Sequence, residues 1–77
     1  MTEYREHSWL TNSDGLRAIS VEQGDHTLWR YVEWRWYHPY PENPAVDPTW
    51  SPTHWSGFYD SQAEVERDAR AALERFG

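Results

Sequence analysis

The sequence contains no cysteine and no lysine, and no apolar run in it approaches the roughly 20 residues that span a bilayer. The absence of cysteine excludes disulfide bonds and thiolate metal sites. The N-terminal stretch MTEYREHSWL lacks the apolar segment of a secretory signal peptide. We therefore expect a cytoplasmic protein that has no membrane-spanning segment.

The aromatic content indicates a folded chain. Of the 77 residues only 38% are hydrophobic and 26% are charged, a composition that borders on disorder. However, six Trp, five Tyr and two Phe make up 17% of the chain, whereas disordered segments are poor in aromatic residues. Each buried ring removes roughly 150–250 Å² from water, so a few rings can replace many aliphatic side chains. We expect one small domain over residues 1–77.

The charge balance is acidic, with 13 Asp and Glu against 7 basic residues and a net charge of −6. A free-standing nucleic-acid binder usually carries a basic surface, so this balance favours a protein partner over nucleic acid. All seven basic residues are arginine. The codon usage of a GC-rich genome explains this pattern, and so does a selected role for guanidinium stacking and bidentate pairing.

Turn signals divide the N-terminal half into three predicted strands. Asn12–Gly15 and Gly24-Asp25 consist of residue types that tolerate tight reversals. The segments around them, 4–11, 16–23 and 26–38, are rich in aromatic and β-branched residues, which favour strands. Because both connections are short, we predict an antiparallel meander.

The third predicted strand can be divided into two faces, because successive side chains in a strand point to opposite sides. The more apolar set is assigned to the core and consists of Leu28, Arg30, Val32, Trp34 and Trp36. The other set alternates rings with charges and consists of Trp29, Tyr31, Glu33, Arg35 and Tyr37. We therefore predict that Trp34 and Trp36 face the C-terminal helix.

All five prolines lie between Pro39 and Pro52. Proline removes a ladder donor and disfavours helix in the residue before it. We therefore predict a Pro- and Trp-rich loop over 39–57, with 55–59 as a candidate short fourth strand. Loops of this length are often functional, although rings stacked on prolines within the loop would also serve to order it.

A helix is predicted over 61–76. Ser61 to Glu64 match the capping box that begins many helices. The apolar residues after it recur at helical spacing and comprise Val65, Ala69, Ala72, Leu73 and Phe76. The predicted fold class is therefore α+β, with a three- to four-stranded antiparallel sheet and one C-terminal helix packed on one face of it.

No arrangement of residues is typical of an active site. There is no nucleophile elbow and no Gly-rich phosphate loop. Glu64 and Asp68 lie on the exposed face of the predicted helix, which is not a setting typical of a carboxylate pair in acid–base catalysis. The four histidines have no zinc-like spacing and are His7, His26, His38 and His54. We expect no enzymatic activity, no bound metal and no cofactor.

Two resemblances bear on function. The absence of lysine, together with the C-terminal helix, resembles the small lysine-free proteins typical of actinobacteria and their phages. That resemblance implies an accessory protein that acts on a host protein. The order of strands followed by a helix, with Gly57-Phe58 before Ser61–Glu64, is loosely similar to the arm-type DNA-binding domains of phage integrases. This second resemblance implies DNA contacts by sheet arginines, which here are Arg17, Arg30 and Arg35.

A single helix covers only one face of a sheet, so the other face is available for the Pro-rich segment, a second copy of the chain or a partner. The predicted binding residues are Trp29, Tyr31, Arg35, Tyr37, Trp50 and Trp55. Since Trp and Tyr are enriched at interface hot spots, we predict a protein–protein interaction module, and a homodimer would use the same surface. The alternative is a nucleic-acid-binding module that stacks bases on the same rings. A third interpretation, an acidic DNA mimic, is opposed by the seven arginines.

Overall fold

The computed structural model describes residues 3–25 and 27–76 and forms a four-stranded antiparallel sheet followed by one helix. The elements are β1 Tyr4–Thr11, β2 Arg17–Gly24, β3 Trp29–Tyr37, β4 Thr49–Trp55 and α1 Gln62–Glu74. The strands lie in the sheet in the order in which they occur in the chain. The predicted meander with one C-terminal helix is therefore confirmed. His26, the predicted start of the third strand, lies outside the described residues.

The turn between β1 and β2 forms where the sequence predicts it. Gly15 has a φ of 76°, a left-handed conformation that glycine adopts without a steric penalty. The side-chain oxygen of Asn12 accepts from the Arg17 N–H at 3.0 Å, and the carboxylate of Asp14 accepts from the Leu16 N–H at 2.8 Å. These bonds close the hairpin and fix the register of β1 against β2.

The predicted loop over 39–57 is wrong in its second half, because β4 occupies Thr49–Trp55. The candidate strand at 55–59 is also misplaced, and Tyr59 instead forms an isolated bridge to Trp29. Pro52 is compatible with β4 because β4 is an edge strand, in which a missing N–H can face solvent. The irregular segment is therefore limited to residues 38–48.

The helix packs on β2 and β3, but on the face opposite to the predicted one. Its buried residues form one core cluster with the sheet, comprising Ile19, Val21, Trp29, Tyr31, Val65, Ala69 and Ala72. The prediction that Trp34 and Trp36 face the helix is wrong, because they lie on the other side of β3 from Trp29 and Tyr31. Small helix residues meet large sheet residues, which lets the two layers interdigitate.

Side-chain bonds fix the start of the helix and the segment before it. The Ser61 hydroxyl accepts from the Glu64 N–H at 3.2 Å, which confirms Ser61 as the N-cap. The Tyr59 hydroxyl donates to a carboxylate oxygen of Asp68 at 2.7 Å. Burial and this bond raise the pKa of Tyr59 to about 12, while hydrogen bonds from Tyr59 and Arg67 lower the pKa of Asp68. The bond ties the chain before α1 to the body of the helix.

We expect the substitution Tyr59→Phe to lower the urea midpoint of unfolding at neutral pH, because Asp68 then loses a donor. The pKa of Tyr59 is raised from 10.0 in the folded state. The wild type's higher free energy of unfolding, relative to the variant, is therefore fully present below pH 10 and is lost as the pH rises toward 12. Because the pKa of Asp68 is lowered, the same stability difference is also lost as the pH falls through that lowered pKa. Urea unfolding at pH 7 and pH 11 measures the midpoints of the wild type and the variant. If the two midpoints differed as much at pH 11 as at pH 7, this account would be contradicted.

Candidate functional site

The sheet has a second face, turned away from α1, which we call the open face. On β3 it carries Val32, Trp34 and Trp36. The strand registers place the following residues on the same face: Trp9 on β1, Ala18 and Ser20 on β2, and Trp50, Pro52 and Trp55 on β4. Most of the tryptophans of the chain are therefore on the open face.

Two β-bulges bring outer tryptophans to this face. The register of β1 shifts between Glu6 and Ser8, so that Trp9 lies opposite Ser20. The register between β3 and β4 shifts between Glu33 and Trp34, so that Trp55 lies on the same face as Trp50. A bulge inserts one extra residue and therefore reverses the parity of everything beyond it.

Four rings on the open face contact one another and form what we call the tryptophan cluster: Trp9, Trp34, Trp36 and Trp50. The ring centroids of Trp9 lie 5.8 Å from those of Trp34 and 5.3 Å from those of Trp50. Trp36 lies 5.2 Å from Trp50. The Trp9–Trp50 and Trp36–Trp50 planes meet at 79° and 66°, the edge-to-face geometry that aromatic pairs favour.

Small residues on β2 allow the cluster to form. Trp9 belongs to β1 and contacts rings on β3 and β4, so its side chain lies across β2. The β2 residues beneath it are Ala18 and Ser20, both fully buried. A larger side chain at either position would separate Trp9 from Trp34 and Trp50.

A chain of hydrogen bonds fixes Trp34 and neutralises the nearest charge. The Trp34 indole N–H donates to the Ser20 hydroxyl at 2.9 Å, and that hydroxyl donates to Glu22 at 3.2 Å. The Arg30 guanidinium donates to the other oxygen of Glu22 at 2.8 Å and lies 3.6 Å from the centroid of the Tyr4 ring. The carboxylate beside the cluster is thus paired, and the cluster itself carries no net charge.

The open face is only partly shielded from solvent. Trp36 is 39% exposed and Trp55 52%, whereas Trp9, Trp34 and Trp50 are half-buried. Exposed apolar rings gathered on one face are typical of interaction sites in soluble proteins. The open face is therefore the candidate functional site.

The six predicted binding residues do not share one surface. Trp29 and Tyr31 are 7% and 8% exposed because they lie in the core beneath α1. Arg35 and Tyr37 are exposed on the helix side of the sheet, with the guanidinium 4.7 Å from the ring centroid. The expectation of an exposed patch is wrong for Trp29 and Tyr31, which are buried. A binding role for Arg35 and Tyr37 on the helix side, and for Trp50 and Trp55 on the open face, stays a prediction.

Sequence reasoning missed the other tryptophans of the open face: Trp9, Trp34 and Trp36. The signal that could have found them is on β2, where Ile19 and Val21 alternate with Ala18 and Ser20. The aliphatic set of the central strand belongs beneath the helix, and the small set leaves room for large rings above it.

The three sheet arginines do not form a basic surface. The Arg17 guanidinium lies 4.0 Å from the centroid of the Phe76 ring on the helix side, whereas Arg30 pairs with Glu22 on the open face. Arg35 is on the helix side with Arg17, which lies opposite it in the register. The arrangement that the integrase resemblance implies is therefore divided between the two faces.

Within the described ranges, no group of three or more His, Asp or Glu residues could hold a metal ion. No helix of the described chain is long and apolar enough to cross a membrane. Comparisons of the chain with family models, curated proteins and solved structures give no match. The function therefore has to be inferred from the residues of the open face.

Proposed function

We propose that the protein is a non-enzymatic protein–protein interaction module that binds its partner through the open face. The observation that carries this proposal is the tryptophan cluster, in which four contacting rings lie on a sheet face turned away from the helix. Tryptophan is the residue type most enriched at binding hot spots, because a single ring removes a large area from water.

The cluster is held in position before any partner arrives. Trp34 is fixed by its bond to Ser20, and Trp9 and Trp50 are fixed by edge contacts with neighbouring rings. Association normally costs about 0.5–1.5 kcal/mol for each mobile side chain that becomes ordered. Rings that are already ordered avoid most of that cost, which supports a binding role for the open face.

The charges favour a protein partner over nucleic acid. Arg30 is the arginine of the open face, and its charge is balanced by Glu22. The net charge of the chain is −6, and nucleic-acid affinity depends largely on basic contacts to phosphates. Base stacking on the exposed rings supports nucleic acid as the second candidate, so the experiment includes an oligonucleotide.

Trp36 and Tyr37 provide a matched pair for the test. They are consecutive on β3, they are 39% and 40% exposed, and they point to opposite faces of the sheet. A partner captured from a lysate of the source organism is purified, and its binding to each variant is measured by calorimetry. We expect Trp36→Ala to weaken binding at least about tenfold, as for a hot-spot residue, and Tyr37→Ala to change it by less than about twofold.

Equal affinities of the two variants for the purified partner would contradict the proposal. Salt-dependent binding of a thymidine oligonucleotide that is lost in Trp36→Ala would support the second candidate in its place. The spectra of both variants must show the folded state, so that a loss of binding is a property of the surface.

A further inference from the structure

The charges of the chain are divided unequally between the two faces of the sheet. Arg30 is the arginine of the open face, and its charge is balanced by Glu22. The strand registers place three arginines on the helix side of the sheet, and three more belong to α1 or to its C-terminal cap. These six arginines are Arg5, Arg17, Arg35, Arg67, Arg70 and Arg75. Among the described residues, the open face therefore carries no unbalanced positive charge.

Glu6 gives the open face an unbalanced negative charge. It lies opposite Glu22, which lies opposite Arg30, so that the three side chains form one row across β1, β2 and β3. Like charges that lie directly opposite each other destabilise a sheet. Arg30 balances Glu22, but Glu6 is exposed, and no ion pair within the described part of the chain includes it. Solvent hydrates such a carboxylate without cancelling its charge, so the row is negative.

Both ends of the sheet are negative as well. Exposed carboxylates lie in the connections at one end at Asp14, Glu42 and Asp47, and at the other end at Asp25 and Asp60. Neither the segments 12–16 and 38–48 nor the segments 25–28 and 56–61 contain an arginine. The open face thus combines exposed rings with a negative border. Its complement is a partner surface that supplies apolar contact and positive charge together.

We infer that the open face binds a positively charged, arginine-bearing segment of a partner protein. The inference rests on the proposed function and names the chemistry of the partner. A guanidinium group is planar and weakly hydrated, so it stacks on an aromatic face while its N–H groups pair with a carboxylate. A lysine ammonium is a strongly hydrated point charge and matches rings beside a carboxylate less well.

The chain itself contains an example of this contact. The Arg30 guanidinium lies 3.6 Å from the centroid of the Tyr4 ring and donates to Glu22 at 2.8 Å. Glu6 and Trp9 are successive open-face residues of β1 on either side of its bulge. An arginine of the partner placed between them would repeat the arrangement of Arg30 and would balance the second carboxylate of the row.

Other occupants match the charges less well. Two open faces placed against each other would bring Glu6 and the negative borders of two chains together, each chain with a net charge of −6. The phosphates of an oligonucleotide would meet the same carboxylates, and Arg30 is already paired. A positively charged protein segment is attracted where both of these are repelled.

The experiment is a titration of the ¹⁵N-labelled protein, at low ionic strength, with a decapeptide of alternating arginine and glycine. Its readout is the indole N–H resonances of the six tryptophans. We expect saturable shifts at the exposed rings of Trp36 and Trp55 and little change at Trp29, which lies in the core. An extended peptide of this length spans about 33 Å. The distance from Arg30 to Trp36 along β3 is about 20 Å, so one peptide can contact the Glu6 row and the tryptophan cluster together.

Control peptides separate arginine from charge alone. A decapeptide of alternating glutamate and glycine should cause no saturable shift. A decapeptide of alternating lysine and glycine has the charge without the planar guanidinium, and we expect it to bind at least about twofold more weakly. Raising the ionic strength should weaken binding of the arginine peptide, because exposed charges are then screened.

Glu6→Gln and Glu74→Gln form a matched pair of variants. Each removes one negative charge from an exposed residue, but Glu6 is on the open face and Glu74 is on α1. We expect Glu6→Gln to weaken binding of the arginine peptide about two- to fivefold, the effect of one exposed ion pair, and Glu74→Gln to change it by less than about 1.5-fold. Because Glu6→Gln also relieves the repulsion by Glu22, it should not lower the urea midpoint of unfolding.

Four results would overturn the inference: no saturable shift at Trp36 and Trp55, equal affinity for the lysine peptide, equal effects of Glu6→Gln and Glu74→Gln, or binding that is insensitive to salt. Shifts that appear only on concentrating the protein, or only with a thymidine oligonucleotide, would also overturn it and would assign the open face to a second copy or to nucleic acid. If the arginine peptide fails while the purified partner still distinguishes Trp36→Ala from Tyr37→Ala, the arginine-bearing ligand is wrong and the proposed function stands.

Discussion

Replacing Trp29 with alanine is expected to lower the free energy of unfolding by about 3–5 kcal/mol, the usual cost of truncating a buried tryptophan. Trp29 is 7% exposed and belongs to the core cluster beneath α1. The imidazole of His7 packs against its ring with centroids 5.0 Å apart. A domain of this size has only a few kcal/mol of stability, so the variant should be largely unfolded at 37 °C.

Trp36→Ala is the control for this prediction, because it removes the same side chain from the open face. We expect it to cost about 1 kcal/mol, mainly from the lost edge contact with Trp50. Urea unfolding followed by far-ultraviolet circular dichroism gives both values. If Trp36→Ala cost more than Trp29→Ala, the assignment of the core to the helix side of the sheet would be wrong.

The sheet and its hairpins could be predicted because their signals are local. Asn12 to Gly15 carry the turn chemistry of the first hairpin, and Ser61 marks the start of the helix through its own hydroxyl. Each signal depends on a few adjacent residues, so tertiary contacts did not override it. The same holds for the division of β3 into two faces, which requires only that successive side chains alternate.

The choice between those two faces could not be made from β3 alone. Arg35 and Glu33 made the set containing Trp29 look polar, but Arg35 lies toward the exposed end of the strand and Glu33 is half-buried near His54. Only the first part of that face is beneath the helix. The central strand β2 holds the better signal, since the aliphatic pair Ile19 and Val21 marks the buried side.

The tryptophan cluster depends on features that have no local signal. The bulge in β1 reverses the side on which Trp9 lies, and the bulge at the β3–β4 pairing does the same for Trp55. β4 was not predicted, because Pro48 and Pro52 are residues typical of loops. They are tolerated here because β4 is at the edge of the sheet. Register and edge position are properties of the assembled sheet, so the open face becomes apparent only in three dimensions.

Enlarging Ala18 should break the tryptophan cluster while leaving the helix-side core in place. Ala18 is fully buried on the open face, opposite Trp34, and Trp9 crosses β2 in this region to reach Trp50. Extra methyl groups in a packed site typically cost about 1–3 kcal/mol. We therefore expect Ala18→Leu to lower the free energy of unfolding by that amount and to shift the indole N–H resonances of Trp9 and Trp50.

Ala71→Leu is the matched control, because Ala71 is an exposed residue of α1 and leucine has a high helix propensity. This variant should unfold at nearly the wild-type urea concentration. Ala18→Leu should also weaken binding of the purified partner, because Trp9 and Trp50 no longer contact each other as they do in the wild type. If Ala18→Leu had wild-type stability and an unchanged indole spectrum, β2 would not be the support on which the cluster is built, and the small residues of the central strand would have no part in forming the open face.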